Sequence, residues 1–192
     1  MSKVGSPLIN WILRAFQALF GIVILGLAVT LIRGHHIGSL PSSLGFAAFV
    51  GGVTIIAALI GIAAVWLEFL DGIVGLAVDS LVAVLNVAGG IFLAIKLKGV
   101  SCKWDPTGQN RSNNSNLAYN DLFSGGCEGK GDATLCANWF HDMSRNIIQS
   151  NVQGLLEGHC RESRAAMVFM FMAAVLLLAS GLMGFLKRRK GY

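Results

Sequence analysis

The stretch GLAVDSLVAVLN, residues 75–86, sets a carboxylate and an amide into what is otherwise hydrocarbon. Asp79 could carry protons or ions, act as an acid or base, or fasten one helix to its neighbours. A relay needs a chain of exchangeable groups, and acid–base work needs a second titratable group in reach. The other apolar stretches offer no Lys, Arg, His or Glu at depth, and only Thr54 and Asn86 join Asp79 as polar groups. Arg14 and Gln17 stand in the first turns of an apolar segment, where Arg14 is expected to snorkel to the head groups. There is no HExxH, no Ser/His/Asp set and no paired carboxylates. The expectation is therefore a non-enzymatic role, with Asp79 buried, protonated or hydrogen-bonded, locking its helix to the first or second apolar segment.

The elements that must position Asp79 follow from composition. The chain has 192 residues, a mean hydropathy of +0.65 and 13% charged residues, too apolar and charge-poor for an ordinary soluble domain. Apolar runs occupy 12–32, 44–66, 72–97 and 165–186. Each approaches or exceeds the roughly 20 residues that cross a bilayer as a helix. The fold class expected is an all-α membrane protein, a four-transmembrane-helix bundle. Residues 1–11 form a lead, 33–43 a short outer loop, 67–71 a tight turn, 98–164 a large loop and 187–192 a basic tail. The first run is too long for a cleaved signal's core and reads as a retained anchor. No lipidation motif is recognised at either end.

On the third run, Gly72, Gly75, Asp79, Ala83, Asn86, Gly90 and Ala94 recur at helical spacing, about 100° per residue, and fall on one narrow face. All are small or polar. In lipid, such a face lets backbones approach closely and hydrogen-bond between helices, so it is expected to be the seam of the bundle. The pairs Ala57/Gly61 and Ser180/Gly184 are further small-residue spacings of the kind found at helix contacts, including those between copies.

The loop 98–164 holds all four cysteines, Cys102, Cys127, Cys136 and Cys160. An even number confined to one polar loop predicts two disulfides in an oxidising compartment. No CxxC pair exists and zinc is not favoured, so no metal is expected; His141 and His159 read as surface or interfacial residues. Asn110-Arg111-Ser112 and Asn113-Asn114-Ser115 are glycosylation acceptor motifs. With the cysteines they predict an extracellular or lumenal loop, disulfide-stapled between the third and fourth spans. Residues 103–131 have the composition of irregular chain, whereas Cys136, Phe140, Met143, Ile147 and Val152 or Leu155 suggest one or two amphipathic helices on the membrane face or packed together. Basic and acidic residues balance in this loop, so no nucleic-acid partner is expected.

Basic residues number six near each membrane face, and the positive-inside rule alone does not orient the chain. The cluster Lys187-Arg188-Arg189-Lys190 abutting the last run, together with the loop's cysteines, predicts cytosolic termini. That cluster is also a candidate for anionic-lipid binding.

Four segments together resemble the fungal MARVEL-domain four-span proteins, of the eisosome-associated or non-classical export type. They are 10–14 (NWILR), the stretch through Asp79 and Asn86 to Gly90 and Ala94, Cys102 just after the third run, and Cys160-Arg161 leading into Ala165-Ala166. The resemblance covers the spans and their flanks; 104–157 is longer than in those proteins. It implies cytosolic termini at the plasma membrane, pairing of Cys102 with Cys160, hence of Cys127 with Cys136, and a structural role organising membrane microdomains with sphingolipid-dependent behaviour. Homo-oligomers and other proteins of the domain are the implied partners, and no cofactor is expected beyond bound lipid or sterol. A tetraspanin-like partner-binding protein is the alternative, though the Cys-Cys-Gly signature is absent. A small oligomeric ion or proton channel using Asp79 comes third.

Overall fold

The computed structural model describes residues 7–64, 73–105, 107, 109–128, 135–138 and 149–189. Four long helices build the bundle: α1 (Pro7–Arg33), α2 (Ser42–Ala63), α3 (Ile73–Lys96) and, after the lobe, α5 (Gln149–Arg189). All four contain stretches long and apolar enough to cross a membrane. Their outward faces carry Phe49, Ile56, Leu81, Val84, Val175 and Leu178, all exposed. That is the expected surface of a bundle solvated by lipid rather than water. The 67–71 turn, Gly72 and the candidate helical positions Phe140, Met143 and Ile147, with His141, lie outside the described residues.

Each of α1 and α3 packs against both α2 and α5, so α1 and α3 stand diagonally across the bundle. The α1–α2 contact is the closest kind available to side chains. At Gly51 an added Cβ would lie 2.7 Å from the backbone nitrogen of Leu25, so only glycine fits. Between α1 and α5, Phe20 and Phe169 meet at 5.4 Å between ring centroids. Ile24, Val50, Leu93 and Met170 fill the centre.

The described chain between α3 and α5 forms a lobe over one end of the bundle; α1 begins and α5 ends at the other, the terminal side. The lobe contains a short helix, α4 (Arg111–Ala118), and a two-residue antiparallel ladder of β1 (Cys127–Glu128) with β2 (Leu135–Cys136). Cys102 is bonded to Cys160, and Cys127 to Cys136. The first bridge ties the end of α3 to α5; the second crosslinks the ladder at directly paired positions.

Two expectations for the loop are corrected. Residues 111–118 are helical, not irregular, because Leu117 and Ala118 bury against the bundle top and reward the turn that presents them. From Gln149 onward the chain is not a separate amphipathic helix but the start of α5, which runs unbroken for 41 residues. No proline interrupts 149–186. Gly154 and Gly158 each cost only about 1 kcal/mol relative to alanine, which the packing of Leu156 and Cys160 outweighs.

Candidate functional site, a buried ion pair across the bundle

Buried polar side chains within the spans collect in two layers. In the first, near the terminal side, Arg14 of α1 and Asp79 of α3 form a bidentate pair: Nη1 donates to Oδ1 at 2.6 Å and Nη2 to Oδ2 at 2.7 Å. Arg14 is 7% exposed and Asp79 3%. Arg14 Nη1 also donates to Gln17 Oε1 at 3.0 Å, and Ser180 Oγ of α5 donates to Asp79 Oδ2 at 3.2 Å. Gln17 and Ser180 are themselves buried.

Arg14 does not snorkel. A guanidinium that finds a carboxylate inside the bundle gains two short charge-assisted bonds, and the fork geometry matches the carboxylate. Arg14 stands two turns into α1 and Asp79 a turn and a half into α3, and both helix ends lie on the terminal side. The two groups therefore share a depth. Because α1 and α3 are diagonal, the side chain must cross the bundle interior, and Gly61 of α2 makes the passage. A Cβ at Gly61 would collide with the guanidinium. Ala57 and Gly61 thus serve packing within one chain.

The missed partner had a sequence signature. Arg14 and Gln17 are in phase with Phe20, Ile24, Ala28 and Leu31, spaced by three or four residues, and all six are buried on one face of α1. The polar pair continues the inward stripe instead of facing the head groups.

The second layer lies about 10 Å deeper along α3, seven residues on at 1.5 Å each. Asn86 Nδ2 donates to Thr54 Oγ1 at 2.8 Å and to the Val82 carbonyl at 2.9 Å, while Thr54 Oγ1 donates to the Val50 carbonyl at 2.7 Å. This joins α3 to α2 through neutral groups. Of the remaining small residues on α3, Ala83 and Gly90 are buried, and Gly75 and Ala94 half-buried. Gly90 accommodates the ring of Phe171.

Above the bundle, the lobe is stitched by side chains that serve backbone groups. The Gly125 carbonyl accepts from the N–H of His36 at 2.9 Å and of Ile37 at 3.3 Å, docking the α1–α2 loop beneath the lobe. Gly126, at φ +90°, has no room for a Cβ against the Ile37 carbonyl. Asn138 Nδ2 donates to the Phe123 carbonyl at 2.6 Å and Arg164 Nη2 to the Val100 carbonyl at 2.6 Å. His159 is not a surface residue: it is 8% exposed, packed against Gly34, with Nδ1 3.4 Å from the Phe123 carbonyl. Lys96 pairs with Asp121 at 2.7 Å where α3 meets the lobe.

The two acceptor motifs lie at and within α4. Asn110 is its exposed N-cap residue, and Asn113 is half-buried. Asp105 organises the approach to α4: its carboxylate accepts from the Thr107 hydroxyl at 2.6 Å, the Thr107 N–H at 2.9 Å and the Asn110 N–H at 2.9 Å. The Thr107 hydroxyl first, then these two N–H groups, hold its carboxyl below the ordinary carboxylate value. At the other end of the molecule Arg189 is exposed; the side chains of Lys187 and Arg188, and Lys190 entirely, lie outside the described residues. No group of three or more His, Cys, Asp or Glu arranged to hold a metal occurs among the described residues.

Four apolar helices around a buried ion pair, under a lobe with two disulfides, define a multi-pass helical membrane protein. Within that class, the profile of the MARVEL family, a membrane-associating domain, matches residues 7–183, and the chain belongs to that family. No curated protein sequence and no solved structure matches it.

Proposed function

We propose that the protein is a non-enzymatic organiser of plasma-membrane microdomains, of the fungal eisosome-associated type. It acts through lateral contacts between copies and with other proteins of the domain. Both termini face the cytosol, and the disulfide-bonded lobe is extracellular. The observation that carries this reading is membership of a membrane-associating family along nearly the whole chain. The geometry supports it: Arg14, Gln17, Asp79, Thr54 and Asn86 turn inward and bond to one another, leaving a largely apolar outer face for lipid and neighbouring helices. The two disulfides support an oxidising compartment for the lobe.

Mass measurement of the particle extracted in native nanodiscs tests the organiser role. Assemblies of several copies are the expected result, and a uniform monomer rejects lateral scaffolding. The four basic positions 187–190 would add about 1 kcal/mol each toward an anionic leaflet. Neutralising them while orientation is retained should weaken recruitment to the microdomain; unchanged recruitment rejects the lipid role. The channel reading gains no support, because Asp79 is held by Arg14 and Ser180 rather than turned to a water path. Liposomes carrying the protein are expected to show no proton flux above empty ones.

A further inference from the structure

Two acceptor motifs three residues apart present the same chemistry in sequence but occupy opposite situations in the fold. Transfer of an N-glycan replaces one hydrogen of the asparagine Nδ2. The nitrogen displaces a polyprenyl diphosphate from the anomeric carbon of the donor oligosaccharide, a C–N bond forms as the C–O bond breaks, and the amide loses a proton. The product amide keeps a single N–H and carries a bulky polar group that must reach water.

Asn113 cannot meet those conditions in the folded lobe. Its Nδ2 donates to the Lys103 carbonyl at 2.9 Å and the Ser101 carbonyl at 3.4 Å, so both of its hydrogens are in use. Its Oδ1 accepts from the Ser101 N–H at 2.8 Å. The segment it holds contains Cys102, buried and bonded to Cys160. A sugar on Nδ2 would stand where the backbone of 101–103 lies. Asn114 beside it is similarly committed, accepting from the Asp105 N–H and donating to the Asp105 carbonyl.

Asn110 differs in that its amide meets the Asp105 carboxylate rather than the backbone of a disulfide-bearing segment. It is exposed, it makes no side-chain capping bond at the start of α4, and its position is fixed through its backbone N–H to Asp105. The carboxylate beside its amide can be met by a single N–H, which a glycosylated amide retains. Ser112, which completes the motif, is exposed as well. We propose that Asn110 is an N-glycosylation site and that Asn113, despite its acceptor motif, is a structural residue that carries no glycan. This rests on the lobe being lumenal during synthesis, as proposed above.

The test is expression of the full chain in a glycosylating eukaryotic host, with electrophoresis before and after enzymatic removal of N-glycans. The wild type should shift by one glycan. Ser112→Ala should abolish the shift, Ser112→Thr should restore it, and Ser115→Ala should leave it unchanged. A shift that survives Ser112→Ala, or one lost in Ser115→Ala, overturns the assignment. So does a wild-type chain without glycan whose cysteines resist alkylation until reduced, which leaves the lobe's location intact. A wild-type chain without glycan whose cysteines alkylate directly overturns both the assignment and the proposed orientation.

Discussion

On the terminal side of the bundle, Arg14, Gln17, Asp79 and Ser180 from three helices bond to one another, side chain to side chain. In the lobe the pattern reverses: Asp105, Asn113, Asn114 and Asn138 bond mainly to backbone groups of chain that is neither strand nor long helix, and Asn120 to the last carbonyl of α3. The difference follows from what each backbone already has. Inside a span the helix satisfies its own N–H and C=O groups, so an inserted polar side chain pairs with another side chain or shares a carbonyl one turn back, as Thr54 does with Val50 and Asn86 with Val82. In the lobe the backbone is short of partners, and side chains supply them. Both disulfides belong to this side of the molecule: one ties the chain after α3 to α5, the other crosslinks the short ladder.

The largest break in that contrast comes from removing one half of the ion pair. Asp79→Ala leaves a guanidinium buried without its countercharge and is expected to cost about 3–5 kcal/mol. Reversible unfolding in mixed micelles measures it. The double variant Arg14→Leu/Asp79→Leu should recover most of the loss, and a double variant as damaged as the single one would mean the pair is not coupled. Next comes the lobe. Replacing Cys102 and Cys160 with alanine should cost about 2–5 kcal/mol, more than removing Cys127 and Cys136, whose sequence separation is 9 rather than 58. Proteolytic nicking of 103–148 should increase while the bundle stays resistant. The neutral layer should matter less: Asn86→Leu, which gives up the bond to Thr54, is expected to cost about 0.6–1.7 kcal/mol in the same unfolding assay.

The smallest effect sharpens the contrast through pH. Asp105 titrates lower in the fold than in free chain, so its contribution is fully present above its ordinary value of 3.8 and is lost as the pH falls through its folded value. Hydrogen exchange at the Thr107 and Asn110 amides should be unchanged between neutral pH and about pH 5, after correction for the intrinsic rate, and lose protection below the ordinary carboxylate range near 3.9. Asp105→Asn should abolish that acid dependence.

How much of this could be read from sequence depended on whether a single helix was enough. The helical phase shared by the positions from Gly75 to Ala94 was legible, because a phase needs no partner to be recognised. The ion pair was not. A basic residue two turns from a helix end has the same local context whether it rises to head groups or crosses inward. The choice depends on the relative depth of α1 and α3 and on the opening at Gly61, which are properties of the packed bundle. The helix at 111–118 was hidden for a related reason: RSNNSNLA has poor helical propensity, and contacts outside the segment stabilise it. His159, which reads as surface or interfacial, is buried through its contact with Gly34, far away in sequence.

Helix α5 gives the molecule a strut. Cys160, clamped to the top of α3, and Ser180, touching Asp79, ride on the same uninterrupted rod about 30 Å apart at 1.5 Å per residue. One helix thus holds the covalent clamp at the lobe and the hydroxyl on the Asp79 carboxylate at a fixed spacing.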